Sequence, residues 1–146
     1  MTRSIVVAFL LLVGSANASD ACYTTAKSVH IEGDNDEWVS TGIKIRAGDL
    51  VVISAEGKIK IGSGMLGDIE VGPNGSPIGT GRLEAKIGTT LVSIGAKWFA
   101  GFDQDSGALK LRVRDTNYAD NAGRFQVLIY VIPGCAFPPI EVIDSE

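Results

Sequence analysis

The chain is poor in the residue types from which most catalytic and transition-metal centres are built. Its 146 residues include one histidine, His30, and two cysteines, Cys22 and Cys135. His30 sits on a weakly alternating segment with no serine or cysteine nucleophile in a recognisable pattern around it, which argues against nucleophile–base chemistry and leaves a packed or surface histidine. Two cysteines with no histidine near either are too few for a zinc site. Basic residues are not in excess either, with 13 Lys and Arg against 17 Asp and Glu. Nucleic acids and anionic membranes are bound through basic patches, so this balance argues against both as partners. Lys44, Lys110, Arg112 and Arg114 recur at alternate positions, as the solvated faces of strands do. One apolar run stands out, Ile5 to Val13, and it is shorter than the ~20 residues that span a bilayer. No window repeats apolar residues at helical spacing.

What is present at the N-terminus reads as an export signal. Arg3 precedes the apolar run, and Ala16 and Ala18 form an A-x-A cleavage pattern, so residues 1–18 are expected to be a signal peptide and the mature chain to be secreted or periplasmic. Loss of Arg3 leaves twelve Lys and Arg against seventeen Asp and Glu, a net charge of −5. The remaining 128 residues are enough for one domain with its own core. Residues 19–136 are expected to form it, and 137–146, opening on Phe137-Pro138-Pro139, a tail that does not continue a strand. In an oxidising compartment Cys22 and Cys135 are expected to pair, with two separate thiols as the alternative.

Between glycines and prolines the chain alternates at period two. Thr24–Ile31, Trp38–Ile45, Leu50–Ile53, Gly57–Ile61, Arg82–Ile87, Thr90–Ile94, Ala108–Arg114 and Arg124–Ile132 read as strands. Many short strands with turn chemistry between them imply an all-β fold, a small antiparallel sandwich or jelly roll. Arg124–Ile132 is apolar on both faces towards its end and should be central, covered on both sides or packed against the terminal segment. The glycine-rich stretch from Gly62 to Gly81 reads as a long irregular loop, and Trp38 and Trp98 as core or strand-end packing.

Hard oxygen donors concentrate in one place. Asp115-Thr116-Asn117-Tyr118-Ala119-Asp120-Asn121 lies between two alternating runs and holds four Asp and Asn side chains. Such residues are ordinary in turns, yet this segment is longer and richer in carboxylate and carboxamide than chain reversal requires. Calcium takes six to eight oxygen ligands, and a loop held by two strands can present them. It is not an EF-hand, since the sixth position from Asp115 is Asp120 rather than Gly and the twelfth is Gln126 rather than Glu. Asp34-Asn35-Asp36-Glu37 reads as a solvated turn. Asp68, Glu70 and Glu84 lie near the glycine-rich stretch without the spacing that would mark a catalytic acid and base.

Several motifs taken in order resemble the PA-I galactophilic (LecA-like) family of calcium-dependent bacterial lectins. They are Ser40-Thr41-Gly42-Ile43, Ala47-Gly48-Asp49, Ile53-Ser54-Ala55-Glu56-Gly57, Gly72-Pro73-Asn74-Gly75, Lys86-Ile87-Gly88, Gly107-Ala108-Leu109-Lys110-Leu111 and Asp115 to Gly123. The resemblance implies a galactose-binding-like jelly roll, no enzymatic activity, and one Ca2+ whose sphere is completed by sugar hydroxyls. Asp115, Asp120 and Asn121 would give side-chain oxygens, Asn117 and Ile61 backbone carbonyls, and the sugar would meet Asp115, Thr116, Asn117 and Asp120. The partner so implied is a glycan, galactoside-like in that family, bound more strongly by a homo-oligomer through multivalency. This chain departs from the pattern in two places. Ser76-Pro77-Ile78-Gly79-Thr80 lacks the histidine and glutamine that contact galactose in the family, and the Asp115 loop is two residues shorter. The alternative function is a non-catalytic structural or adhesive sandwich at the cell surface, without metal or sugar.

Overall fold

Period-two alternation becomes antiparallel pairing throughout the computed structural model, which describes residues 22–64 and 67–136. The expected signal peptide, 1–18, and tail, 137–146, lie outside the described residues. Nine strands follow in order: β1 (Thr25–Glu32), β2 (Val39–Ile45), β3 (Leu50–Gly64), β4 (Gly67–Val71), β5 (Arg82–Ile87), β6 (Thr90–Ser93), β7 (Lys97–Gly101), β8 (Gly107–Arg114) and β9 (Asn121–Ile132). They form two sheets, one in the order β1-β9-β3-β4 with β7 also on β3, the other β2-β8-β5-β6. The long β3 carries β7 along Leu50–Ser54 and β4 along Ile59–Gly64, both on the side away from β9.

The inward positions of each sheet meet in one core. Ile53, Ile59, Phe125, Val127 and Ile129 from the first sheet and Leu83, Leu109, Leu111 and Val113 from the second are fully buried. Each such side chain contributes roughly 1.5–3 kcal/mol through removal of apolar surface from water. The ends of the domain are tied together by a Cys22–Cys135 disulfide, with Cα atoms 5.8 Å apart across 113 residues of sequence. Pairing of β1 with β9 brings those ends side by side.

Three expectations change. Leu50–Ile53 and Gly57–Ile61 are one strand, because Gly57 adopts φ +104° and lets β3 stay paired with β9 from Leu50 to Ile61. The glycine-rich stretch is not wholly irregular: β3 runs on to Gly64 and turns back as β4. Lys97–Gly101, β7, is an additional strand. β9 is central in its sheet as expected, and on its outer face Leu128 and Ile132 are half-buried and Tyr130 is 38 % exposed, while the terminal segment expected to pack there lies largely outside the described residues.

The β3–β4 hairpin holds a small titrating group. Ser63 Oγ donates to Asp68 Oδ1 at 2.6 Å, and Lys60 Nζ lies 3.5 Å from the same oxygen. The Ser63 hydrogen bond first, and the Lys60 charge second, hold the Asp68 carboxyl below the usual aspartate value. A lowered folded-state value means that this interaction supports the fold above the unfolded-state pKa and is lost as pH falls through the folded-state one. Ser63→Ala should move the Asp68 midpoint upward in an NMR carboxyl titration, and an unmoved midpoint would assign the depression to Lys60 alone.

Candidate metal centre at the turn between β8 and β9

Short polar side chains that compete for backbone donors shape the segment after β8. Asp115 Oδ1 accepts the N–H groups of Thr116 (2.6 Å) and Asn117 (3.2 Å), which folds the chain back over the carboxylate. The Tyr118 hydroxyl donates to Val113 O at 2.7 Å and accepts the Asp115 N–H at 3.2 Å, pinning the turn to the end of β8. A single 3-10 turn, Tyr118–Asp120, follows, and the Asn121 N–H closes it on Tyr118 O. β9 then starts at Asn121 directly opposite Ile61 of β3.

Asn121 joins the pieces. It is 8 % exposed, and its Nδ2 donates both to Asp115 Oδ2 and to Gly33 O, each at 2.9 Å. Both amide protons are thereby used, which determines which way the carboxamide points. Its Oδ1 is then left buried with no hydrogen-bond donor. Of the other buried polar residues, Thr41 Oγ1 donates to Leu109 O and Asp49 Oδ2 accepts the Arg46 N–H, whereas Ser76 Oγ and Arg112 Nε, on half-buried residues elsewhere, are likewise without a partner. An unpartnered buried oxygen costs about 1–3 kcal/mol.

Asp120 completes the corner. Gly62, next to Ile61, has φ +119°, and a methyl group placed on it would stand 3.1 Å from Asp120 Oδ2. A side chain there would crowd the carboxylate, so glycine at 62 keeps Asp120 over the end of β3. The structure thus brings Asp115, Asp120, Asn121 and Ile61 to one corner of the sandwich, with Thr116 and Asn117 exposed along its rim. Asp115 is more heavily engaged than the expected ligand role would leave it, because three N–H groups occupy its two oxygens and one of about four acceptor positions remains. Among the described residues no three His, Cys, Asp or Glu side chains converge on a metal-binding group. A cation here would rely on amide and carbonyl oxygen as well as carboxylate, which is the donor set of a hard ion.

Sequence reasoning missed Gly33, Gly62 and Tyr118. Gly33 lies 88 residues from Asn121 and carries no side chain to notice. Beside the corner runs the segment from Gly72 to Gly81, held by a bond from Gly81 N to Arg114 O at 2.7 Å. Its Ile78 is 86 % exposed. Elsewhere His30 is exposed on β1, and Asn35 Oδ1 accepts the Glu37 N–H in a turn. Trp98 is half-buried against the core and also lines an opening of about 420 Å³ between the edges of β6 and β7.

No protein-family model matches the chain, and no curated protein does. Among solved structures it is similar to one described as the N-terminal domain of EclA, a PllA-like lectin. The two share 25 % identity at a TM-score of 0.61 over 71 % of this chain and 94 % of that one. The described residues form a β-sandwich of lectin-like fold.

Proposed function

We propose that this protein is an exported, non-enzymatic carbohydrate-binding domain that holds one Ca2+ at the turn between β8 and β9 and binds sugar hydroxyls through it. The observation that carries this reading is the buried Asn121 Oδ1, which lacks a donor in the corner shared with Asp120 and Ile61. A cation removes the cost of that oxygen and offsets the charges of Asp115 and Asp120. Neutral carbonyls, from Ile61 and Asn117, add ligands without adding like charge. Ligand positions open to solvent on the Thr116–Asn117 side are where vicinal hydroxyls of a glycan would enter. The similarity to a PllA-like lectin supports the glycan. Selection among glycans falls to the neighbouring Ser76–Thr80 segment, which has exposed Ile78 and no histidine or glutamine, so a galactoside would not be held in the manner of the family the sequence resembles. Export is supported by the N-terminal pattern and by the Cys22–Cys135 bond, since structural disulfides persist in oxidising compartments.

Calorimetric titration of calcium into the EDTA-stripped, dialysed protein should give one site per chain, and glycan binding on an array should appear with calcium and vanish with EDTA. No heat of calcium binding, with glycan signals unaffected by EDTA, would overturn the reading. One observation favours the structural or adhesive alternative: Phe99, 75 % exposed, and Tyr130 both stand opposite Val52 on the outer face of the five-stranded sheet. An apolar stripe of this kind fits contact with another protein, and a calcium-insensitive protein would leave it as the better account.

A further inference from the structure

The outer face of the four-stranded sheet carries charge opposite in sign to the chain as a whole. Across the β5–β8 pairing Arg82 stands opposite Arg114, Glu84 opposite Arg112, and Lys86 opposite Lys110. These alternate with fully or nearly fully buried residues, Leu83, Ala85 and Ile87 on β5 and Leu109, Leu111 and Val113 on β8, so all six lie on the outward side. Lys44 of β2 extends the face beside Ala108. Glu84 is the sole carboxylate among these positions, in a chain of net charge −4.

Like charges directly opposite one another across an antiparallel pair are destabilising, and two of these three rows are of that kind. Glu84 offsets part of the repulsion, 3.7 Å from Arg112 and 3.8 Å from Arg114. It leaves the Lys86–Lys110 row without a counter-charge in its own register. Two of the guanidinium groups are also held in place. Arg112 stacks on the Trp38 ring with 4.3 Å to its centroid and keeps a buried Nε without an acceptor, and Arg82 Nε donates to Asn74 O at 3.0 Å. A pre-positioned cation loses less conformational freedom on binding an anion.

We propose that this face binds an acidic polysaccharide, a polymer with repeated carboxylate or sulfate groups, independently of the calcium corner. Neighbouring strands place cations roughly 4.8 Å apart across the sheet and alternate residues roughly 6.8 Å apart along it, a flat lattice suited to an extended polyanion. Nucleic acid fits less well, because Trp38 already carries Arg112 on its ring and among the described residues no α-helix accompanies the sheet to enter a groove. An anionic membrane fits less well because Leu91 is the one large exposed apolar side chain of this sheet, at its β6 edge.

The test uses polygalacturonate and heparin as probes in EDTA. The wild-type protein should bind at least one of them, with affinity falling as NaCl is raised. The Lys86→Ser/Lys110→Ser double variant should bind about tenfold more weakly. Its melting temperature should be unchanged or higher, because the like-charge row is gone, and its calcium response should be that of the wild type. Equal binding by the two proteins, no binding of either polymer, or tighter binding to phosphatidylserine vesicles or duplex DNA would overturn the proposal. With EDTA present throughout, each of those outcomes leaves the calcium reading untouched.

Discussion

Asp120→Ala should abolish the calcium-dependent rise in melting temperature while leaving the calcium-free protein about as stable as before. A ligand that binds only the folded state stabilises it by about 2.7 kcal/mol at a hundredfold excess over Kd. For a domain of this size that is a rise of roughly 10 °C. Asp120 is exposed and its side chain makes no hydrogen bond among the described residues, so its removal takes a carboxylate from the ion and little from the fold. Asn121→Ala should behave differently. It removes the donor that serves Gly33 O and Asp115 Oδ2 together with the unpartnered Oδ1. Two acceptors lose their partner, and calcium-free stability should fall by about 1–3 kcal/mol in addition to the lost calcium response. Calorimetric melting of the three proteins with calcium and with EDTA separates the two behaviours. An undiminished calcium shift in Asp120→Ala would place the ion somewhere other than this turn.

Replacement of Cys22 and Cys135 by alanine should lower the melting temperature by roughly 15–25 °C. The bond spans 113 residues of sequence, and in the chain-entropy model closing so long a loop restrains the unfolded chain by about 4–5 kcal/mol. The folded state feels the loss unevenly. β1 is an edge strand, with Ile31 buried, Val29 half-buried and the rest of its length exposed, and its N-terminal end adjoins the disulfide. Thr25 to Val29 should therefore lose hydrogen-exchange protection before the core strands do. A double variant that melts within a few degrees of the parent, with β1 still protected, would show that the β1–β9 ladder alone holds the two ends of the domain.

Local pattern accounts for much of what was legible in the sequence. Side chains alternate across a strand with a period of two residues, so Arg82–Ile87 and Gly107–Arg114 declare their inward and outward positions without reference to anything else in the chain. Glycine hid the rest. Gly57 read as the start of a separate strand and Gly62 as the start of a loop, yet both lie inside β3 with positive φ, where glycine carries no penalty and the ladder passes through them. β7 went unread because Lys-Trp-Phe-Ala-Gly is too short and too mixed to set a period.

The sequence by itself determined the sandwich class and the concentration of oxygen donors between Asp115 and Asn121, because each is written in neighbouring residues, and it made a bond between its two cysteines the expected outcome without excluding two separate thiols. Strand register decided the remainder. It sets Ile61 opposite Asn121, brings the Gly33 carbonyl to the Asn121 amide, and converts scattered lysines and arginines on β5 and β8 into facing rows of like charge. Register is a relation between segments tens of residues apart, fixed only when two sheets close over a common core, and no local period encodes it.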